Sequence, residues 1–457
     1  MTVQLSAAAG SRREFVVIRV AITTLGCKVN HYESAGIEEK IRSRGFSIVP
    51  FRSEADIYIV NTCTVTGKTD YQSRQLIRRA HRTNPEASIF VTGCYAQTTP
   101  EILAALPGVK MVVGTGQKTA IPDLLCKEVG NETIIYVKNV EDERFLSSLP
   151  VTDFHGQTRA YLKIQDGCNA FCSYCIIPYA RGRARSLPED RVIEEVNSLC
   201  RTGYREIVLT GIHLGMYGHD LSPGTSLSNL LRRIERETDV ERLRISSTEP
   251  MEITDRIIEL IGSSDILCRH LHIPLQSGDD TILRAMNRNY DSRQFEKRIE
   301  AIVGAIPDIG IGIDVIVGFP GEGDEEFENT KAFIERLPIH SLHVFPYSKR
   351  PGTAAFSLST HVPEKIKKER ARTLRAIDEE KRLSFNSRFI GKRLSVLVEG
   401  TKDRGSGLMK GFSGNYIPML IEEANPSMTN CIIEVEGTET FERKLKGKII
   451  GHENRKD

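Results

Sequence analysis

The sequence predicts an α/β chain in three parts: an N-terminal doubly wound parallel sheet, a central partial (βα)6 barrel and a small C-terminal all-β module. Three observations predict this. From Phe15 to about Cys126, short apolar runs alternate with helical patterns, as parallel sheets require. After a polar connector (roughly 130–153), six more strand-then-helix units follow, two short of the eight that close a full barrel. Beyond a charged helical stretch, strand-like runs separated by Gly and Asn turns finish the chain.

Taken in order, residues 1–14 read as a disordered start. Ser11-Arg12-Arg13-Glu14-Phe15 resembles a twin-arginine export signal, but Arg19 breaks the following apolar run and no small-residue cleavage site follows. Export is therefore not expected, and no run of 18 apolar residues offers a membrane span. In the first domain (15–130), strands are expected at Val16–Thr24, Ile57–Asn61, Ile89–Thr92 and Met111–Val113. Helices are expected over Tyr32–Ser43, Asp70–Arg82, from near Pro100, and over Thr119–Cys126. Cys27, Cys63 and Cys94 each fall just past a strand. Strand carboxyl ends share one edge of an open parallel sheet, so the three can converge without local spacing. Cys126, Cys200, Cys268 and Cys431 lie in apolar helical or strand contexts and read as core.

The central domain (154–385) is expected to have strands near Tyr161–Ile164, Glu206–Thr210, Leu243–Ser247, Leu271–Leu275, Ile311–Gly318 and Leu342–Tyr347. After the first comes an Asp166-Gly167 turn and then Cys168, Cys172 and Cys175. Three thiolates aimed at one point call for a metal. A tetrahedral zinc wants a fourth Cys or His, and none follows nearby. A four-iron cluster can be held by three cysteines with one iron left open. Three structural thiols, or a zinc completed from a distant part of the chain, is the competing reading. At the other strand ends Thr210, Gly211, Glu249, Gln276, Asp314 and Gly318 gather polar and backbone groups suited to a nucleoside with an amino-acid tail. His213, His270 and His272 read as packing or hydrogen-bonding residues.

The last part (386–450) is the β module, with strands over Leu394–Glu399, Met409–Glu422 and Cys431–Gly437. Before it, Pro363–Arg393 holds eleven Lys or Arg against five acids. With a net charge of only +2, nucleic-acid affinity must come from local patches. Three are candidates: this stretch, the Arg74–Arg82 helix, and Arg181, Arg183 and Arg185. The ten cysteines, in a long chain with 40% hydrophobic and 27% charged residues, do not fit a small disulfide scaffold. Reduced thiols point to the cytoplasm.

The cysteine spacing with Tyr174 before the third cysteine resembles the signature of the radical S-adenosylmethionine enzymes. Thr24–Asn30 (TLGCKVN), Asn61–Thr66 (NTCTVT) and Val91–Gln97 (VTGCYAQ) extend the likeness to the radical S-adenosylmethionine methylthiotransferases, over residues 15–450. Gly411–Tyr416 (GFSGNY) resembles the RNA-binding TRAM domain. The resemblance implies two 4Fe-4S clusters, one on Cys168, Cys172 and Cys175 that binds S-adenosylmethionine. The other, on Cys27, Cys63 and Cys94, would carry the sulfur to be transferred. It also implies cofactor lining by Tyr174, Thr210, Gly211, Glu249, Gln276, Asp314 and Gly318, and an external one-electron donor. The implied substrate is the anticodon stem-loop of tRNA; nothing indicates the sulfur donor, and no membrane partner is implied. Lys28-Val29 and Ile177–Gly182 (IPYARG) resemble the branch that acts on N6-threonylcarbamoyladenosine, whereas the isopentenyladenosine branch reads Gln-Met-Asn after the first cysteine. Isopentenyladenosine, a ribosomal-protein aspartate, or a non-catalytic cluster protein that binds RNA are the alternatives.

Overall fold

A computed structural model describes residues 17–127, 130, 132–147 and 149–451, so the start expected at 1–14 lies outside them. The chain divides into two compact units. The first contains residues up to Asp153 together with Asp166–Ala170 and Cys175–Leu187. The second contains Phe154–Gln165, Phe171–Tyr174 and everything from Pro188.

The first unit is built on a six-stranded, wholly parallel sheet. Its strands are β1 (Arg19–Thr24), β2 (Ser47–Val49), β3 (Ile57–Thr62), β4 (Ser88–Gly93), β5 (Val109–Val113) and β6 (Ile134–Tyr136), in the order β2-β1-β3-β4-β5-β6. Its central strands are apolar on both faces, as strands covered by helices on both sides must be. Val20, Ile59, Phe90 and Val113 pack on one face with Ile37 and Ile41 of the helix Lys28–Arg42. Ala21, Tyr58, Val60, Val91 and Val112 pack on the other with Ile77 and Ala80 of the helix Gly67–Thr83. The short edge strands β2 and β6 were not expected; three residues each are too few to show a period. Strand order reverses between β1 and β3, which makes the edge above them the switch point where open α/β sheets bind ligands.

The second unit begins with β7 (Arg159–Lys163). The two-residue strands β8 (Gln165–Asp166) and β9 (Arg185–Ser186) bracket the cysteine loop in sequence. Five strands follow: β10 (Glu206–Thr210), β11 (Arg242–Ile245), β12 (His270–Gln276), β13 (Gly310–Val317) and β14 (Ser341–Pro346). They form two parallel sheets, β11-β10-β7 and β12-β13-β14, the open sixfold barrel expected from the sequence.

Five C-terminal strands, β15 (Arg393–Lys402), β16 (Met409–Ser413), β17 (Pro418–Glu422), β18 (Ile432–Phe441) and β19 (Lys444–Gly451), close a small barrel in the order β15-β16-β17-β19-β18. Val396, Val398, Met419, Ile421, Val435 and Leu445 fill it. The sequence reading missed β19 and merged β16 with β17.

The loop Gly411–Tyr416 is engaged within the same unit. Arg244 donates to the carbonyls of Gly414 (3.1 Å) and Ser413 (3.3 Å), and its guanidinium lies 4.7 Å from the Tyr416 ring. Arg159 lies 4.6 Å from the Phe412 ring. Beneath them is Glu206, fully buried, 2.8 Å from Arg244 and 3.2 Å from Arg242. Burial opposes its ionisation, but Arg244 and Arg242 hold its carboxyl at about 2.

The charged stretch before the module is a helix over Glu364–Ser387. Two of its cations face inward. Lys367 donates to the Tyr347 carbonyl and Arg370 to Glu322, so neither is presented to a phosphate. Among the described residues no helix is long and apolar enough to cross a membrane.

Candidate active site

In the first unit, Cys27 caps the amino end of the helix that follows β1, Cys63 directly follows β3, and Cys94 opens the helix Cys94–Thr98 after β4. These strands are neighbours, so the three thiols stand on one edge at the switch point. Gly93 makes the last step possible: its φ is 103°, and a Cβ there would sit 2.2 Å from the Thr62 carbonyl. The thiols sense one another. Burial and the neighbouring Cys94 push Cys63 up to about 12; Cys27, though exposed at the surface, is raised by the protein packed around its thiol, against the pull of Arg181. A coordinating metal centre converts thiols such as Cys27 and Cys63 to thiolates. Among the described residues, the ligand trio with atoms within 4.8 Å of one another is a different one, His272, Asp314 and His343. A tetrahedral zinc, with bonds of about 2.3 Å, would draw its sulfurs to within about 4 Å. Cys27, Cys63 and Cys94 are not gathered that tightly among the described residues.

Arg181 completes this site. It is 1% exposed, donates from Nε to Cys94 Sγ at 3.3 Å, and is held by Glu33 (2.9 Å), Asp166 (2.9 Å) and Asn30 (2.6 Å). Lys118 closes the far side of Glu33 in a second buried ion pair. This corrects the expectation that Arg181 and Arg185 contact RNA. Both are buried, and Arg185 donates to the Arg181 carbonyl; of the three arginines only Arg183 is exposed. Also in this unit, Cys168 donates its backbone N–H to the Gly182 carbonyl (3.0 Å), and Ala170 N donates to Cys168 Sγ (3.4 Å). Cys126, expected in the core, is exposed.

In the second unit, the segment Phe171–Tyr174 is fixed by backbone bonds. Ser173 N donates to the Met286 carbonyl and Ala355 N donates to the Ser173 carbonyl. Phe171 has φ of 46°, a strained value for a bulky residue and one that clusters at functional sites. Arg288 donates from Nη1 to Cys172 Sγ (3.2 Å) and forms an ion pair with Glu249. Burial raises the Glu249 carboxyl, while Arg288 opposes that rise.

Thr210, Gly211, Glu249, Gln276 and Gly318 stand at or just past the carboxyl ends of β10, β11, β12 and β13. Gln276, beside a register shift, has φ of 66°. Gly318 donates its N–H to Glu322 (2.7 Å), and Tyr174 packs beside Phe319 and Tyr347. Asp314 is the exception to the rim placement: it sits within β13, bonded to His272 and His343. Burial works against its ionisation, yet those two imidazoles hold its carboxyl well below the usual range.

Two family models match, an uncharacterized family, UPF0004, over residues 19–114 and the radical SAM superfamily over 162–334. The threonylcarbamoyladenosine tRNA methylthiotransferase MtaB of Bacillus subtilis is 41% identical over 91% of this chain and 93% of its own length. That of Aquifex aeolicus is 40% identical over 83% and 93%. The chain belongs to the radical S-adenosylmethionine methylthiotransferases. A tRNA-2-methylthio-N(6)-dimethylallyladenosine synthase of Acetivibrio thermocellus is more distant, 32% identical over 94% of this chain and 90% of its own. The solved structure of the radical S-adenosylmethionine methyltransferase TsrM from Kitasatospora setae shares the fold, with a TM-score of 0.52 at 16% identity, over 75% of this chain and 77% of that one.

Membership of the methylthiotransferase family implies a 4Fe-4S cluster and S-adenosylmethionine. Sequence reasoning overlooked Asn30, Glu33, Lys118 and Arg288, which surround the cysteines of this methylthiotransferase. One signal was available: Asn30 and Glu33 are polar residues on the first helix near Cys27, and Asn30 is fully buried there.

Proposed function

We propose that this enzyme methylthiolates N6-threonylcarbamoyladenosine next to the anticodon of tRNA, giving the 2-methylthio derivative. The observation that carries the reading is the alignment of Cys27, Cys63 and Cys94 at the ends of adjacent strands, in the same chain as the Cys168, Cys172, Cys175 spacing. The first trio would hold a second 4Fe-4S cluster, the other the radical cluster. When bound, these groups and S-adenosylmethionine supply radical chemistry able to replace a hydrogen on an unreactive aromatic carbon by a methylthio group.

The chain's own residues supply placement and charge. Arg181 brings a fixed positive charge to Cys94, and Glu33, Asp166 and Asn30 keep it aimed. Arg288 does the same for Cys172, with Glu249 as its anchor. Thr210, Gly211, Gln276 and Gly318 present hydroxyl, amide and backbone groups at the barrel rim for the cofactor. Arg78, Arg79 and Arg82 on the exposed face of their helix, with Arg183, are the cations offered to RNA phosphates. Neutralising about five phosphates would give a log–log salt slope of about −3.5 to −4.5. The reaction also requires a one-electron donor and a sulfur source from outside the chain, and the cytoplasm is where tRNA is met.

Mass spectrometry of tRNA nucleosides from cells lacking the gene, with and without its restoration, tests this. Loss of 2-methylthio-N6-threonylcarbamoyladenosine with accumulation of its unthiolated precursor is expected. Persistence of that nucleoside beside loss of the methylthio group from isopentenyladenosine would move the substrate to the other tRNA branch.

A further inference from the structure

The lumen face of β12, β13 and β14 carries a side-chain group that the cluster chemistry does not use. Leu271, Ile273, Ile313, Val315 and Leu342 are buried on one face of these strands. By the two-residue alternation of strands, His272, Asp314, His343 and Phe345 stand on the other. His272 Nε2 and His343 Nδ1 lie 2.9 and 3.3 Å from the same oxygen, Asp314 Oδ1. The two imidazole rings lie 4.9 Å apart. Among the described residues no further hydrogen bond engages Asp314 Oδ2. The side chain of His343 is 55% exposed, and Phe345, one pleat nearer the carboxyl rim, is 43% exposed. The amino end of the same sheet is closed: His270 packs against Tyr416 with ring centroids 4.4 Å apart, and a Cβ on Gly310 would sit 2.2 Å from the Asn415 carbonyl. The strands therefore offer a cup with an occupied floor and a wall that pairs donors and an acceptor with an uncovered aromatic ring. Arg288, Cys172 and Glu249 belong to the same unit.

We infer that His272, Asp314 and His343, with Phe345 beside them, form the docking wall for the target purine of the substrate RNA. The inference rests on the function proposed above. A nucleobase needs two things of a protein that takes it out of its stack: hydrogen bonds to its polar edge and an aromatic face to replace its lost neighbours. Asp314 Oδ2 is an acceptor for an exocyclic N–H, the outward ring nitrogen of His343 answers a ring nitrogen or carbonyl of a substituted adenine, and Phe345 is the stacking surface. An ion on the same trio explains the two imidazoles and the carboxylate but leaves an exposed phenylalanine beside them without a role. His272 and Asp314 act by positioning His343 and the free carboxylate oxygen; the groups that meet the base are those of Asp314, His343 and Phe345.

The test uses the reconstituted, anaerobic full-length enzyme and tRNA carrying the target nucleoside. Product nucleoside and 5′-deoxyadenosine are counted together. His343→Ala and Phe345→Ala are expected to keep wild-type iron and sulfide and to cleave S-adenosylmethionine without RNA as the wild type does. They should form about tenfold more 5′-deoxyadenosine per product, the consequence of losing one base contact of ordinary strength. Phe345→Tyr, which keeps the ring, should restore the ratio and guards against a folding artefact. Unchanged coupling in both alanine variants would overturn the inference while leaving the function intact. Loss of RNA-independent cofactor cleavage would make the wall part of the cofactor site instead. One equivalent of zinc retained by the wild type after dialysis against zinc, and lost in His343→Ala, would make it a metal site. A wild-type enzyme that modifies no tRNA nucleoside would remove the function itself, and this inference with it.

Discussion

Arg181 and Arg288 do the same thing in two different settings. Each points one guanidinium N–H at a cysteine sulfur, 3.3 Å from Cys94 and 3.2 Å from Cys172. Arg181 is held by two carboxylates and an amide, and one of those carboxylates carries a second buried cation, Lys118. Arg288 has one carboxylate, Glu249, and otherwise the ring and hydroxyl of Tyr290. The first arginine is locked by its pairing and the second is tethered. The difference follows the chemistry proposed for each region. A centre that stores sulfur needs a rigid wall, while a centre where a cofactor is bound, cleaved and released needs a partner with some freedom.

Breaking the comparison at the cysteines should give the largest effects. Cys172→Ala is expected to abolish reductive cleavage of S-adenosylmethionine and product together. Cys63→Ala should abolish product but leave cleavage within about twofold of wild type, a loss confined to one step. If both variants lose cleavage, the two sites are not separate in role. At the arginines, Arg181→Leu strips Asp166 of its buried guanidinium partner and leaves Glu33 paired with Lys118, and should cost about 3–5 kcal/mol of stability, read by denaturant unfolding of the first unit. Arg288→Leu, which leaves one carboxylate behind, should cost less. Its clearer sign is a fall of some tens of millivolts in the radical-cluster potential, since N–H bonds to sulfur help set that potential. Equal stability losses in the two variants would erase the distinction between locked and tethered.

A smaller effect distinguishes the second unit by pH. His340 is buried, its ring lies 4.6 Å from that of Phe385, and its pKa falls to about 3 through burial. The unfolded chain takes up a proton below about 6.5 that the folded one refuses. Stability should therefore decline as pH falls from that value towards 3, by at most about 1.4 kcal/mol per pH unit. His340→Leu should flatten this slope, as seen by thermal unfolding between pH 7 and 5.

The sequence was most legible where one rule dominates. Parallel strands buried on both faces announce themselves as apolar runs, so β3, β4 and β10 were placed within a residue or so. Cys27, Cys63 and Cys94 could be read as one site because topology alone brings strand ends to one edge. Three things were hidden. The edge strands β2 and β6 are too short to show a period. Arg181 sits in a run of arginines that looks like a phosphate patch, and only its buried carboxylate partners, distant in sequence, show otherwise. Asp314 looked like a rim residue because Gly318 and Gly321 follow it, but it lies three residues before the end of β13, next to two histidines from neighbouring strands.

The claim that one chain holds two cluster sites is tested most directly by counting iron and acid-labile sulfide after anaerobic reconstitution. Wild type should hold about eight irons per chain, and the Cys27→Ala, Cys63→Ala, Cys94→Ala triple variant about four while still cleaving S-adenosylmethionine. About four irons in both proteins, or zinc without sulfide on either trio, would contradict it.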